Sequence, residues 1–66
     1  MYKEIRKKYN LTQKQIAQVV HLAIENYNKV ENGKFELSED RKKKLSQFYK
    51  EYSKIYEKIE KIFKKY

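Results

Sequence analysis

The chain has 66 residues, 17 of them Lys or Arg against 9 Asp or Glu, a formal charge of +8 and a pI near 9.7, so it makes one small, strongly basic domain. It has no Cys and one His, which excludes disulfides, thiolate metal sites and His-rich metal sites, so stability must come from helix packing or a second subunit. No apolar run approaches the roughly 20 residues that span a bilayer, and the basic start MYKEIRKKYN lacks the apolar core of a signal peptide, which predicts a cytoplasmic protein.

No Pro and a single Gly remove the punctuation of a sheet, and the apolar spacing is helical throughout, so an all-α fold is predicted. Tyr2, Ile5 and Tyr9 fall at i, i+3 and i+7 and predict a first helix over about 2–9 with this stripe inward. Asn10, a residue that tolerates left-handed backbone, ends it. Thr12 is the N-cap of a second helix over about 13–20, and Gln15 completes a T-x-x-Q capping box. Its buried side is Ile16, Ala17, Val19 and Val20, with Ala17 small enough to admit a neighbouring helix. Leu22 enters from the following turn. A third helix covers about 24–32, with Tyr27 and Val30 inward and Gly33 past its end at positive φ.

Phe35 and Leu37 lie in a short connection and are expected on the core. Ser38 caps a last helix that carries Glu39 and Asp40 in its first turn, where the dipole favours anions. Nothing breaks it before Tyr66. Leu45, Phe48, Tyr52, Ile55, Ile59, Ile62 and Tyr66 form a stripe at heptad-like spacing, widened by Tyr49, Tyr56 and Phe63. As a single helix from 39 to 66 it would be roughly 42 Å long. A break near Ser53, capping a fifth helix, is the alternative.

Helix 2, a three-residue turn and helix 3 make a helix-turn-helix. The stretch LTQKQIAQVV-HLA-IENYNKVENGK resembles the lambda repressor/Cro-type (XRE-like) family. The likeness rests on Leu11, Thr12, Gln13, Ile16, Ala17, Val20, Leu22, Tyr27, Val30, Glu31, Asn32, Gly33 and Lys34, and it covers about residues 2–50. The resemblance implies a helix-turn-helix DNA-binding domain over residues 1–50; with the last helix the whole makes a small bundle of four to five helices, in which the heptad-like stripe marks 51–66 as an amphipathic extension expected to dimerise. It implies operator binding in transcriptional control. It also implies Gln13 on a backbone phosphate, and Asn32 and Lys34 on phosphate just past the recognition helix. The chain departs from the family at three positions. His21 stands where glycine is usual, Ala23 where a Ser or Thr cap is frequent, and Lys42 where an apolar residue is usual.

With Tyr27 and Val30 inward, Ile24, Glu25, Asn28 and Lys29 face outward and become the candidate base readers. Lys29 can reach guanine O6/N7 or a phosphate, and Asn28 can bond adenine N6/N7. Glu25 can accept from cytosine N4, and Ile24 can pack on a thymine methyl. Asn26 lies at the edge, towards phosphate. Thr12 and Gln13 sit at the N-terminus of helix 2, where a phosphate finds unpaired N–H groups. Plainer roles compete with these. Glu25 can pair with Lys29 at i,i+4, Ile24 can pack at the core edge, and Asn28 can be solvated. Arg41, Lys42, Lys43 and Lys44 form a cationic turn that either lies along DNA or faces solvent.

The function read from these features is a sequence-specific transcriptional regulator of double-stranded DNA. It is expected to be a repressor of the kind phages and mobile elements use, acting on a palindromic operator as a homodimer. Tyr52, Ile55, Tyr56, Ile59, Ile62 and Phe63 form the expected dimerisation face, and regulation is expected to come from concentration, a protein antagonist or degradation. The alternative is a protein-interaction module, such as an antitoxin, that uses the last helix. A membrane-surface helix is disfavoured because Glu51, Glu57 and Glu60 interrupt the basic face. No acid–base constellation suggests an enzyme, and no cofactor is expected.

Overall fold

The computed structural model describes residues 2–64, and every regular element among them is helical. The helices are α1 (Tyr2–Lys8), α2 (Gln13–Val19), α3 (Ile24–Glu31) and α4 (Glu39–Lys64). Tyr66, the last member of the heptad-like stripe, lies outside the described residues.

The three short helices end by one device. Asn10, His21 and Gly33 have φ of 57°, 57° and 75°. Each is followed by a residue whose N–H reaches back to the last turn: Leu11 to the Arg6 carbonyl (3.1 Å), Leu22 to Ala17 (2.9 Å) and Lys34 to Lys29 (2.8 Å). The left-handed residues themselves donate to Lys7 (3.1 Å), Gln18 (3.3 Å) and Val30 (3.2 Å). This is the Schellman arrangement, which turns the chain sharply and uses the carbonyls a helix end leaves over. His21 thus fills the glycine position of the family by adopting left-handed backbone itself.

Helix starts are less uniform. Thr12 Oγ1 accepts from the Gln15 N–H (3.1 Å) while Gln15 Oε1 accepts from the Thr12 N–H (2.8 Å), completing the capping box. Ser38 Oγ accepts from the Arg41 N–H (3.3 Å). Ala23 has cap-like backbone (φ −64°, ψ 148°) but no side-chain bond to offer.

The core is Ile16, Ala17 and Val20 of α2, Tyr27 and Val30 of α3, Leu37 of the connection and Leu45 of α4. Tyr27, Ile16 and Val20 are fully buried, the two aliphatic side chains each worth about 1.5–3 kcal/mol of transfer free energy. Tyr2, Leu11, Val19, Leu22, Phe48 and Tyr49 close around them.

Two expectations about the core need correction. In α1 it is Arg6, 9% exposed, that turns inward, while Ile5 is 39% exposed. Tyr2, Arg6 and Tyr9 lie at i, i+4 and i+7, as good a helical stripe as Tyr2, Ile5 and Tyr9, and only Arg6 has a buried anion to meet. In the connection, Leu37 is buried but Phe35 is 42% exposed. The chain bends at Lys34 and Phe35, so the direction that serves Leu37 is not available to Phe35.

α4 is unbroken across Ser53. The Ser53 hydroxyl donates to the Lys50 carbonyl (2.9 Å) within the helix instead of capping a new one. Its 26 residues span about 39 Å, nearly the 43 Å long axis of the molecule. Lys42 does not upset its packing. The ammonium pairs with Glu39 (3.5 Å), Lys42 lines a shallow groove with Tyr2, Ile5 and Leu45, and Leu45 stays buried. Tyr9 crosses α4 further on, edge-on to Tyr52 (5.5 Å) and Tyr56 (5.1 Å) and stacked with Tyr49 (6.2 Å). Beyond Tyr56 every described residue is exposed.

Candidate nucleic-acid interface

The site is built outward from one buried ion pair. Arg6 Nε and Nη2 donate to the two oxygens of Glu31 (2.6 and 3.0 Å), and Nη1 donates to the Leu11 carbonyl (2.9 Å). The side chains are 11% and 2% exposed. α1, the turn before α2, and α3 are thereby tied together by one guanidinium, whose planar fork suits a carboxylate bidentately.

Burial disfavours the Glu31 anion, but the bonds from Arg6 and Gln13 and the nearby Tyr27 hydroxyl outweigh it and hold the carboxyl below its ordinary range. The bond to Glu31 likewise raises Arg6, against its burial. Burial drives the Tyr27 phenol far up, helped by the adjacent Glu31 charge, and its hydroxyl closes no hydrogen bond of ordinary geometry. Burial pushes Tyr49 up to about 12.

From Glu31 a chain of amides runs to the surface. Gln13 Nε2 donates to Glu31 Oε1 (3.0 Å), and Asn28 Nδ2 donates to Gln13 Oε1 (3.3 Å). Asn32 Nδ2 donates to Asn28 Oδ1 (3.0 Å). The first residue of α2 is thus joined to the middle and end of α3, on the outward side. Around this row lie exposed Glu25, Lys29 and Lys34, with Ile24 42% exposed. Asn26 is half-buried at the margin.

A helix-turn-helix domain family model matches residues 2–54. The chain belongs to this XRE-like helix-turn-helix family. No curated protein and no solved structure matches it. Membership points to a DNA-binding regulator. The match runs past residue 50 into the part of α4 that carries Tyr52.

Within this helix-turn-helix, Ile24, Glu25, Asn28 and Lys29 share the outward face of α3, and Glu25 and Lys29 form no ion pair with each other among the described residues. Gln13, Asn28 and Asn32 come together in the amide chain. Thr12 is exposed but its hydroxyl is engaged in the capping box. The cationic turn of α4 is divided. Arg41 Nε donates to the Val20 carbonyl (2.9 Å) at the end of α2, Lys42 pairs with Glu39, and only Lys43 and Lys44 are exposed. Of the expected dimerisation residues, Tyr52 and Tyr56 are half-buried against Tyr9, while Ile55, Ile59, Ile62 and Phe63 are exposed, Phe63 at 73%.

Spacing alone missed Arg6, Glu31 and Arg41 as organisers. A compositional signal was available: Arg6 and Arg41 are the only arginines among the 17 cations. Both hold fixed hydrogen bonds, for which a guanidinium is better suited than an ammonium.

Proposed function

We propose that this chain is a sequence-specific transcriptional regulator, a repressor that binds a palindromic operator as a homodimer. The observation that carries the reading is the outward face of α3, where Ile24, Glu25, Asn28 and Lys29 lie together on a helix anchored from behind by fully buried Tyr27. A helix so held enters the major groove as a unit. Lys29 then reaches guanine or phosphate, Asn28 adenine, Glu25 cytosine N4, and Ile24 a thymine methyl. Gln13 keeps one amide N–H beyond its bond to Glu31 for a phosphate, and Thr12, Asn26, Asn32 and Lys34 flank the groove as further backbone contacts.

One copy reads too few bases to find a site in a genome. Two copies joined through Ile55, Ile59, Ile62 and Phe63 would present two α3 helices about 34 Å apart, one turn of B-DNA. Tyr52 and Tyr56 brace that part of α4 on the domain. With this function goes a cytoplasmic location, and among the described residues no helix is long and apolar enough to cross a membrane. The same exposed apolar face favours a second reading, an antitoxin-like module whose α4 docks another protein.

Lys29→Ala tests the base-reading face. Specific binding is expected to weaken by about 1–3 kcal/mol while random duplex weakens less. Equal weakening on both makes Lys29 a phosphate contact, and unchanged binding on both removes it from the interface.

A further inference from the structure

α4 carries a charged surface that neither its apolar stripe nor the face of α3 accounts for. Lys43, Lys50, Lys54 and Lys61 follow one another along the helix. At 3.6 residues per turn they fall within about 40° of one line, a ridge about 27 Å long. All four are exposed, and none takes part in an ion pair among the described residues. At the start of the ridge a shallow groove is lined by Lys42, Lys43, Ser46, Gln47 and Lys50, with no carboxylate on its walls. Glu51, off to one side, accepts from Gln47 Nε2 (2.9 Å), which leaves Glu57 as the one acid beside the line between Lys43 and Lys61. Like charges at i,i+4, such as Lys50 and Lys54, destabilise a helix. Nothing within the chain relieves that repulsion, and a polyanion would.

The ridge points away from the rest of the molecule. Leu45 and Phe48, which hold α4 to the core, lie on the opposite side of the helix. Ile55 and Ile59 lie there too, so pairing through them leaves the ridge free. The same core stands behind α3, which it holds by Tyr27 and Val30. The ridge and the outward face of α3 therefore look out from opposite sides of a body whose short axes are 19 and 18 Å. A straight duplex seated on α3 does not reach the ridge of the same protomer.

We infer that this ridge is a second nucleic-acid site. It takes the phosphate backbone of another duplex segment without reading bases, so that a protein seated through α3 bridges two segments of DNA. The bridging rests on the reading of α3 as the base-reading helix; the ridge itself rests on its charge. Duplex DNA carries one negative charge per about 1.7 Å of its axis, so a line of lysines meets phosphate along its whole length whatever the sequence. A bilayer surface suits the ridge less well. A helix lying in that surface buries its apolar side, which would turn these lysines towards water.

The test compares the full chain with a ridge variant that combines Lys43→Gln, Lys50→Gln, Lys54→Gln and Lys61→Gln, since Gln is close to Lys in helix propensity. Melting curves establish that both are folded. A duplex enriched by the wild type from a random pool is immobilised and saturated with protein, and capture of a labelled random duplex is measured. The wild type is expected to capture it, roughly 100-fold more weakly at 200 mM than at 50 mM salt, the dependence of four phosphate contacts. The variant should hold the immobilised duplex as tightly as the wild type and capture the labelled one roughly 10-fold less or worse. Equal capture by the two proteins, or a variant that loses both bindings in equal measure, means that the ridge is no separate site, and the inference fails. It fails as well if vesicles of phosphatidylcholine and phosphatidylserine are captured through the ridge and the labelled duplex is not. If the pool yields no enrichment, the reading of α3 is wrong and bridging falls with it. The ridge is then tested on random duplex alone, where weaker binding by the variant upholds it and equal binding overturns it.

Discussion

Replacing Arg6 by Ala would strand the Glu31 carboxylate in a site where its side chain is 2% exposed. Breaking a buried pair from one side costs about 3–5 kcal/mol, a large share of what a domain this small possesses. Urea unfolding should show a loss of that size; a loss below about 1 kcal/mol, the range of exposed pairs, would mean the carboxylate finds other solvation. The same pair sets the response to acid. The Glu31 carboxyl lies below its unfolded value of 4.5 in the fold, so its contribution is complete above about pH 4.5 and is lost as pH falls through the lower folded value. Glu31→Gln should therefore be less stable at neutral pH and show a flatter acid limb. An acid limb identical to wild type would contradict the assignment. At this scale the sequence is only partly legible. Helical spacing admits Ile5 or Arg6 to the inner stripe equally, and what decides between them is Glu31, 25 residues away.

Among the elements, α2 and α3 carry two visible weak points, both at family departures. His21 holds left-handed backbone at a cost of about 1–2 kcal/mol for a residue with a Cβ, and glycine there would recover part of it, less its own entropy of about 0.5–1 kcal/mol. Ala23 leaves the first N–H groups of α3 without a side-chain cap, and Ser at that site is worth about 1 kcal/mol. His21→Gly and Ala23→Ser should each raise the melting temperature, and the double variant should raise it further. A fall on His21→Gly would show that the imidazole makes up for its backbone. These features were readable in advance because caps and left-handed turns are local chemistry: T-x-x-Q, Asn10, His21, Gly33 and Ser38 all act as their neighbours dictate. Phe35 was not readable, because its exposure follows from how the chain bends on leaving α3. Continuity of α4 followed from the lack of any breaker, with Ser53 satisfied inside the helix.

For the whole molecule, the question is why a 66-residue chain keeps a helix of about 39 Å. The part up to Tyr56 is accounted for by Leu45, Phe48 and Tyr49 on the core and by Tyr52 and Tyr56 on Tyr9. The shorter part beyond has no intramolecular partner for Ile59, Ile62 or Phe63 among the described residues, and isolated helical turns are marginal in water. A chain ended after Glu57 retains the whole Tyr9 cluster. It should unfold at nearly the wild-type temperature but sediment as a monomer, where the full chain is expected to sediment as a dimer. A truncated chain that still dimerises would move the interface to another surface. The most direct measurement is selection of duplexes from a fully random pool at physiological salt, where binding to phosphate alone is suppressed. The predicted result is a two-fold symmetric motif with half-sites one helical turn apart. Recovery of sequences no different from the input pool would contradict base reading by α3.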